Sequence, residues 1–199
     1  MSEYQYVEFR AIDAPLDDKS LAFMERQSTR AEITRWSFTN EYHYGDFHGN
    51  AIEMLRRGYD LHLHYANFGY RRLMFRLPRG LPLPAKQCRP FFTTDGLRWH
   101  KDGKGPGGVL EVSPYLESGE MEALWDLDEW LDRFVPLRQA LADGDPRPLY
   151  AAWLCATAGC GQEAEELAMP PLPAGLAEKN AALPALFEFY ELPPDWLAA

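Results

Sequence analysis

The residue types best suited to chemistry in this chain are histidine and arginine, and every histidine lies in its first half. His62 and His64 stand two apart in an alternating run, so their rings leave one side of a strand. Glu41, His43, Asp46 and His48 lie on or just beyond a neighbouring strand. Imidazole and carboxylate together suit zinc or another first-row metal. The same alternation puts the Arg76 guanidinium beside His62, and a fixed cation there opposes a divalent ion. Neither HExxH nor a Cys/His quartet with ligand spacing occurs, so no metal site and no cofactor are expected. A metal-dependent hydrolase built on His43, His62 and His64 is the weakest of three functional readings.

The arginines suggest the opposite kind of ligand. Arg72 and Arg76, with Arg10 and Arg35 on the matching faces of other strands and His62 between them, form a candidate anion site. The planar guanidinium fork suits a phosphate or carboxylate. Tyr4 and Tyr6 would add stacking surface, as in sheet-face binders of single-stranded nucleic acid, although no RNP1-like run is present. Solvation, or pairing with Glu8, Glu41 and Asp60, is the ordinary alternative for these charges.

Covalent catalysis finds less support. The loop Asp102–Gly108, DGKGPGG, contains Gly-Lys but lacks the spacing and following helix of a phosphate-binding loop. No GxSxG turn occurs. The three cysteines, Cys88, Cys155 and Cys160, have no histidine nearby in sequence and no CxxC spacing. An odd, unspaced set fits a reducing compartment, which points to the cytoplasm. Interaction chemistry is better represented. Trp125 and Trp130 sit among Asp126, Asp128, Glu129 and Asp132, and Trp196 follows Pro193-Pro194. Tryptophan is enriched at binding hot spots, and acidic rims steer basic partners. Trp125, Trp130, Asp126 and Glu129 are therefore the candidate partner-binding residues.

These side chains must be placed by elements that the hydrophobic pattern outlines. Tyr4–Ile12 alternates as a half-buried strand, with Val7, Phe9 and Ala11 opposite Tyr4, Tyr6, Glu8 and Arg10. Asp17 and Asp18 suit a helix start. Ile33–Tyr44, rich in β-branched and aromatic residues, predicts a second, long strand. Asn50 and Glu53 resemble a capping box for a short helix that ends at Gly58. Tyr59–Leu77 predicts a β-hairpin. Side-chain period favours a three-residue loop, Phe68-Gly69-Tyr70, pairing Tyr65 with Leu73, His62 with Arg76 and His64 with Met74. A second hairpin is expected over Leu97–Asp102 and Val109–Val112.

From Glu120 the pattern turns helical, with Leu124, Leu127, Leu131, Phe134 and Val135 on one stripe. Pro136 is expected to kink this helix or start the next. Asp145-Pro146 should begin a helix over Leu149–Ala158, and MPPLPAG (169–175) reads as a linker before a last helix over Leu176–Tyr190.

The expectation is an α+β chain: a mostly antiparallel sheet with two short helices in residues 1–115, then an acidic helical region, 116–199, packed on or appended to it. The 199 residues suffice for one core plus a small appendage, and no apolar run reaches the length of a membrane span. MSEYQYVEFR has neither the positive nor the apolar region of a signal peptide. Residues 1–110 carry sixteen Lys and Arg against thirteen Asp and Glu, whereas residues 111–199 carry four against seventeen. So acidic a second half repels phosphates and argues against wrapping nucleic acid.

MSEYQYVEFRAIDAPL, ITRWSFTNEYHYGDFHGN, YANFGYRRLMFRLP, GDPRPLYAAWL and PPLPAGL together resemble a family of bacterial cytosolic proteins for which no activity is established. The resemblance runs over most of the chain. It implies a bacterial origin and transfers no functional residue. The leading expectation is a non-enzymatic adaptor or accessory subunit with a protein partner; an anion or nucleic-acid binder is the alternative.

Overall fold

The computed structural model describes residues 3–115, 124–158, 167–176 and 182–193. Its centre is a seven-stranded sheet in which every neighbouring pair is antiparallel. In chain order the elements are β1 (Gln5–Arg10), α1 (Asp18–Glu25), β2 (Glu32–Ile33), β3 (Ser37–Tyr42), α2 (Ala51–Arg56), β4 (Leu61–Ala66), β5 (Tyr70–Leu77), α3 (Ala85–Cys88), β6 (Leu97–Lys101), β7 (Gly108–Val112), α4 (Trp130–Ala142), α5 (Arg147–Ala158) and α6 (Ala182–Phe189). The strand order is β2-β3-β1-β4-β5-β7-β6. This is the expected α+β class, with the sheet first and helices after it.

Both faces of the sheet are covered. Val7 and Phe9 of β1, Phe38 of β3, and Met74 and Val109 pack beneath Met24 of α1 and Ala51, Met54 and Leu55 of α2. On the other face Tyr6, Leu61, Leu63, Leu73, Phe75 and Leu110 meet Leu131, Phe134, Leu137, Leu149 and Leu186 of α4, α5 and α6. Each fully buried Leu or Phe contributes about 1.5–3 kcal/mol, so the acidic helical half is held by a continuous core that it shares with the sheet. The first strand is consequently buried on both sides. Its alternation predicts one wet face; the structure replaces that with a second layer.

Several boundaries differ from expectation for local reasons. The long strand over Ile33–Tyr44 is broken, because the Thr34 hydroxyl accepts the backbone N–H groups of Trp36 and Ser37 and folds the chain back. Ile33 then pairs with Phe38 across a tight turn. In the β4–β5 hairpin the loop is again three residues long, but it is Asn67-Phe68-Gly69, with Gly69 at φ +94°. The register is displaced by two residues from the expected one: His62 faces Met74 and His64 faces Arg72. A shift of two keeps every side chain on its face, so His62, His64, Arg72 and Arg76 still share one side.

The caps follow the sequence more closely. Asp17 caps α1 and the Asn50 side chain accepts the Glu53 N–H. Glu53 does not complete the reciprocal bond; it pairs with Arg57, and Gln27 takes the Asn50 N–H instead. Helix α4 runs through Pro136, where its buried face outweighs the lost hydrogen bond. Pro184 falls in the first turn of α6, where backbone N–H groups lack helical partners anyway. The expected start of this helix at Leu176 is not seen, and residues 177–181, Cys160 and Trp196 lie outside the described residues.

Candidate functional site

One corner of the α4–α6 face escapes the helices. Register aligns Glu41, Tyr6 and Tyr65 in a single row across β3, β1 and β4. The Tyr4 ring lies next to that row, 6.4 Å from Tyr65. The backbone of Leu124–Asp128, approaching the start of α4, forms the opposite wall. Between them is a cleft of about 640 Å³, lined by Tyr4, Tyr6, Tyr65, Glu41, Trp125 and Asp128 among others. Trp125 is 79 % exposed at its lip. The size is that of pockets which take small ligands or side chains.

The floor is fixed from beneath. The Tyr6 hydroxyl donates to Glu8 at 2.9 Å, and Glu8 is in turn paired with Arg10 at 2.5 Å. Burial pushes the Glu8 carboxyl up from its ordinary range, and the Arg10 cation partly offsets this. The Tyr6 phenol is raised by burial and by Glu8. Burial, then Glu41, pushes Tyr4 up to about 12. The Tyr65 hydroxyl accepts the Leu124 N–H, tying the two walls together. At the lip Asp126 has φ 50° and ψ 47°, a left-handed conformation that favours glycine.

The four expected partner-binding residues divide. Trp125, Asp126 and Glu129 are exposed, and the first two line the cleft. Trp130 is instead a core residue, 5 % exposed, packed on Phe134 and Phe189 with its indole N–H donating to the Trp125 carbonyl. It cannot meet a partner, because it begins the buried face of α4. Sequence reading named Glu41 only beside the histidines and Asp128 only as a neighbour of the tryptophans, and it missed Tyr65. Parity on each strand was readable, but the strand order that sets β3 and β4 on either side of β1 was not.

The expected anion patch is not assembled. Arg10 lies on the opposite face of the sheet from His62, Arg72 and Arg76, since Arg10 shares its face with Tyr6 while Phe9 faces His62. It pairs with Glu8 and with Asp132 of α4. Arg35 falls in the β2–β3 turn, bound to Asp18 and to the Leu16 carbonyl. Arg76 is taken by Asp102 and the Gly108 carbonyl. Arg72 makes a close ion pair with Glu111 at 2.7 Å, its Nε–H turned away from the carboxylate oxygen.

His62 is completely buried, stacked on Phe9 with ring centroids 4.0 Å apart. Its Nδ1 faces the Glu8 carbonyl at 3.0 Å and must therefore carry the proton. His64 Nε2 donates to Gln5, whose amide donates to Asp46. Burial first, then the Arg72 charge, holds His62 well below its usual range and takes His64 down to about 4. His43 projects to the other side of the sheet, against Tyr4 and near Glu41. The sheet thus separates the three histidines of the hydrolase reading, and no group of three metal-ligating side chains converges among the described residues.

Aromatic side chains and carboxylates meet in the cleft, with no lysine or arginine among its described lining residues. Comparison with family models, with curated proteins and with solved structures found no match.

Proposed function

We propose that the chain is a non-enzymatic adaptor or accessory subunit of a bacterial protein assembly, docking its partner at the cleft between Trp125 and the tyrosine floor. The observation that carries this reading is Trp125 itself, a large aromatic side chain 79 % exposed beside a concave, partly apolar surface. Tryptophan in such a setting supplies much contact area at little entropic cost, and Asp126, Asp128 and Glu129 give the polar rim that surrounds a binding hot spot. The other half of the expected surface, the arginine-bearing sheet face, is packed under α1 and α2, and its Arg72 and Arg76 are held in internal ion pairs.

Purification of the tagged protein from its own cells, wild type against Trp125→Ala, tests the proposal. A stoichiometric partner retained by the wild type and lost by the variant supports it. Monomeric elution of both at low and moderate salt overturns it.

A second reading, anion binding, keeps one observation. A surface cavity of about 410 Å³ is lined by Arg26, Ser28, Thr29, Arg30, Tyr44 and His48 among others. Neither Arg26 nor Arg30 forms an ion pair among the described residues. Nucleotide or phosphate binding that disappears in Arg26→Ala/Arg30→Ala would favour this reading over the first.

A further inference from the structure

We infer that the Trp125 cleft selects a cationic side chain, so that the partner enters it with a lysine or arginine. The inference rests on the docking proposal above and adds the chemistry of what is docked. Glu41, Asp126 and Asp128 line the cleft, and no lysine, arginine or histidine does among the described residues. The arginines that approach from this face are already matched: Arg10 by Glu8 and Asp132, and Arg71, whose guanidinium lies 5.7 Å from the Tyr65 ring centre, by Glu191. An unbalanced set of carboxylates around a low-dielectric floor focuses negative potential into the concavity.

The floor and lip are aromatic. Trp125 at the lip and the half-buried Tyr4 present ring surface whose quadrupoles attract a cation, most strongly at tryptophan, above a floor built on the buried Tyr6 and Tyr65. The Tyr4 phenol, raised by burial and then by Glu41, keeps its proton across the physiological range and offers a neutral π face. Tyr6 is held in place by Glu8, and Tyr65 by the Leu124 backbone, so the floor beneath it is rigid.

Asp126 shapes the lip. A non-glycine residue in the left-handed region is uncommon, and aspartate is among the side chains that adopt it most readily. Here it turns the chain between Trp125 and Leu127, so that Trp125 stays outside while Leu127 enters the core. Glycine would satisfy the backbone better but would remove a carboxylate from the lip.

A metal ion is the less fitting cation. The acids sit around the rim without converging, and no three ligating groups come together among the described residues. Diffuse carboxylates with aromatic faces suit a large, weakly hydrated guanidinium or an ammonium on an aliphatic stem. A nucleic acid would meet only repulsion here. The cleft exceeds one side chain in volume, which leaves room for the partner's flanking backbone beside the Thr39 hydroxyl.

The test is an NMR chemical-shift titration of the full chain with three capped amino acids: N-acetyl-arginine methylamide, N-acetyl-lysine methylamide and the neutral N-acetyl-norleucine methylamide. The expected result is that both cationic probes bind at least tenfold more tightly than norleucine and weaken as salt is raised. Trp125→Ala, and separately Asp126→Asn/Asp128→Asn, should each lower the affinity about tenfold; asparagine tolerates the left-handed backbone, so the second variant removes charge and leaves the shape.

Equal binding of norleucine and the cations overturns charge selectivity, while the cleft as a docking site stands. Absence of any shift with the cationic probes overturns the inference as well. In that case the docking reading is still decided by whether Trp125→Ala loses its partner.

Discussion

Acid should unfold this protein earlier than its carboxylates alone would require, and His64 allows the effect to be isolated. The ring is 9 % exposed, fixed on Gln5, and close enough to Arg72 to feel its charge. In the unfolded chain it titrates near 6.5; in the folded chain, near 4. A histidine with a depressed folded value binds fewer protons folded than unfolded. Its contribution is therefore intact above pH 6.5 and is lost as pH falls from there towards 4. Each pH unit inside that window costs about 1.4 kcal/mol, so between pH 7 and pH 5 this one residue removes about 2 kcal/mol.

Glutamine at position 64 retains an N–H donor for Gln5 and does not titrate. Urea denaturation of wild type and His64→Gln at pH 7 and pH 5 gives the comparison. The wild type should lose about 2 kcal/mol more than the variant over that interval. Parallel losses in the two proteins would show that the ring is neutral for no energetic reason, and the argument from burial would fail. His62, held down by burial first and then by the Arg72 charge, should behave in the same direction.

Three further outcomes follow from the packing. Arg138 is buried between Asp60 and Asp13, joining α4 to the sheet, so Arg138→Ala should cost about 3–5 kcal/mol in urea denaturation; a loss below about 1 would refute the buried pair's role. The two tryptophans should separate cleanly: Trp130→Ala destabilises by about 3–5 kcal/mol, whereas Trp125→Ala stays within about 0.5 kcal/mol of wild type, as thermal melts would show. Asp126→Gly should raise stability by up to about 1 kcal/mol through relief of the left-handed backbone while weakening cation binding, measured by melting and by the same titration.

The sequence made side-chain parity legible wherever a strand could be recognised. His62, His64, Arg72 and Arg76 were correctly placed on one face even though the hairpin register was displaced by two residues, because displacement by an even number leaves faces unchanged. Layering was not legible. Alternation in Tyr4–Ile12 signals one polar face in an open sheet, yet Glu8 and Arg10 are polar residues under a helix, satisfied by each other and by Asp132. The break in Ile33–Tyr44 depends on one threonine hydroxyl, a local competitor that β-propensity does not register. The charge contrast between the halves was visible as composition. Its use was not: Arg10, Arg71 and Arg138 each pair across the division, with Asp132, with Glu191, and with Asp13 and Asp60.

β4 has a special position in this arrangement. Every residue of Leu61–Ala66 is buried. Its odd-numbered side chains belong to the core under α4–α6, its even-numbered ones face α1 and α2, and it is paired on both edges. Neither helical layer can loosen without exposing one side of this strand. The two cores are thereby coupled into one cooperative unit, and the β4 amides should be among the slowest to exchange with solvent, opening only when the whole chain does.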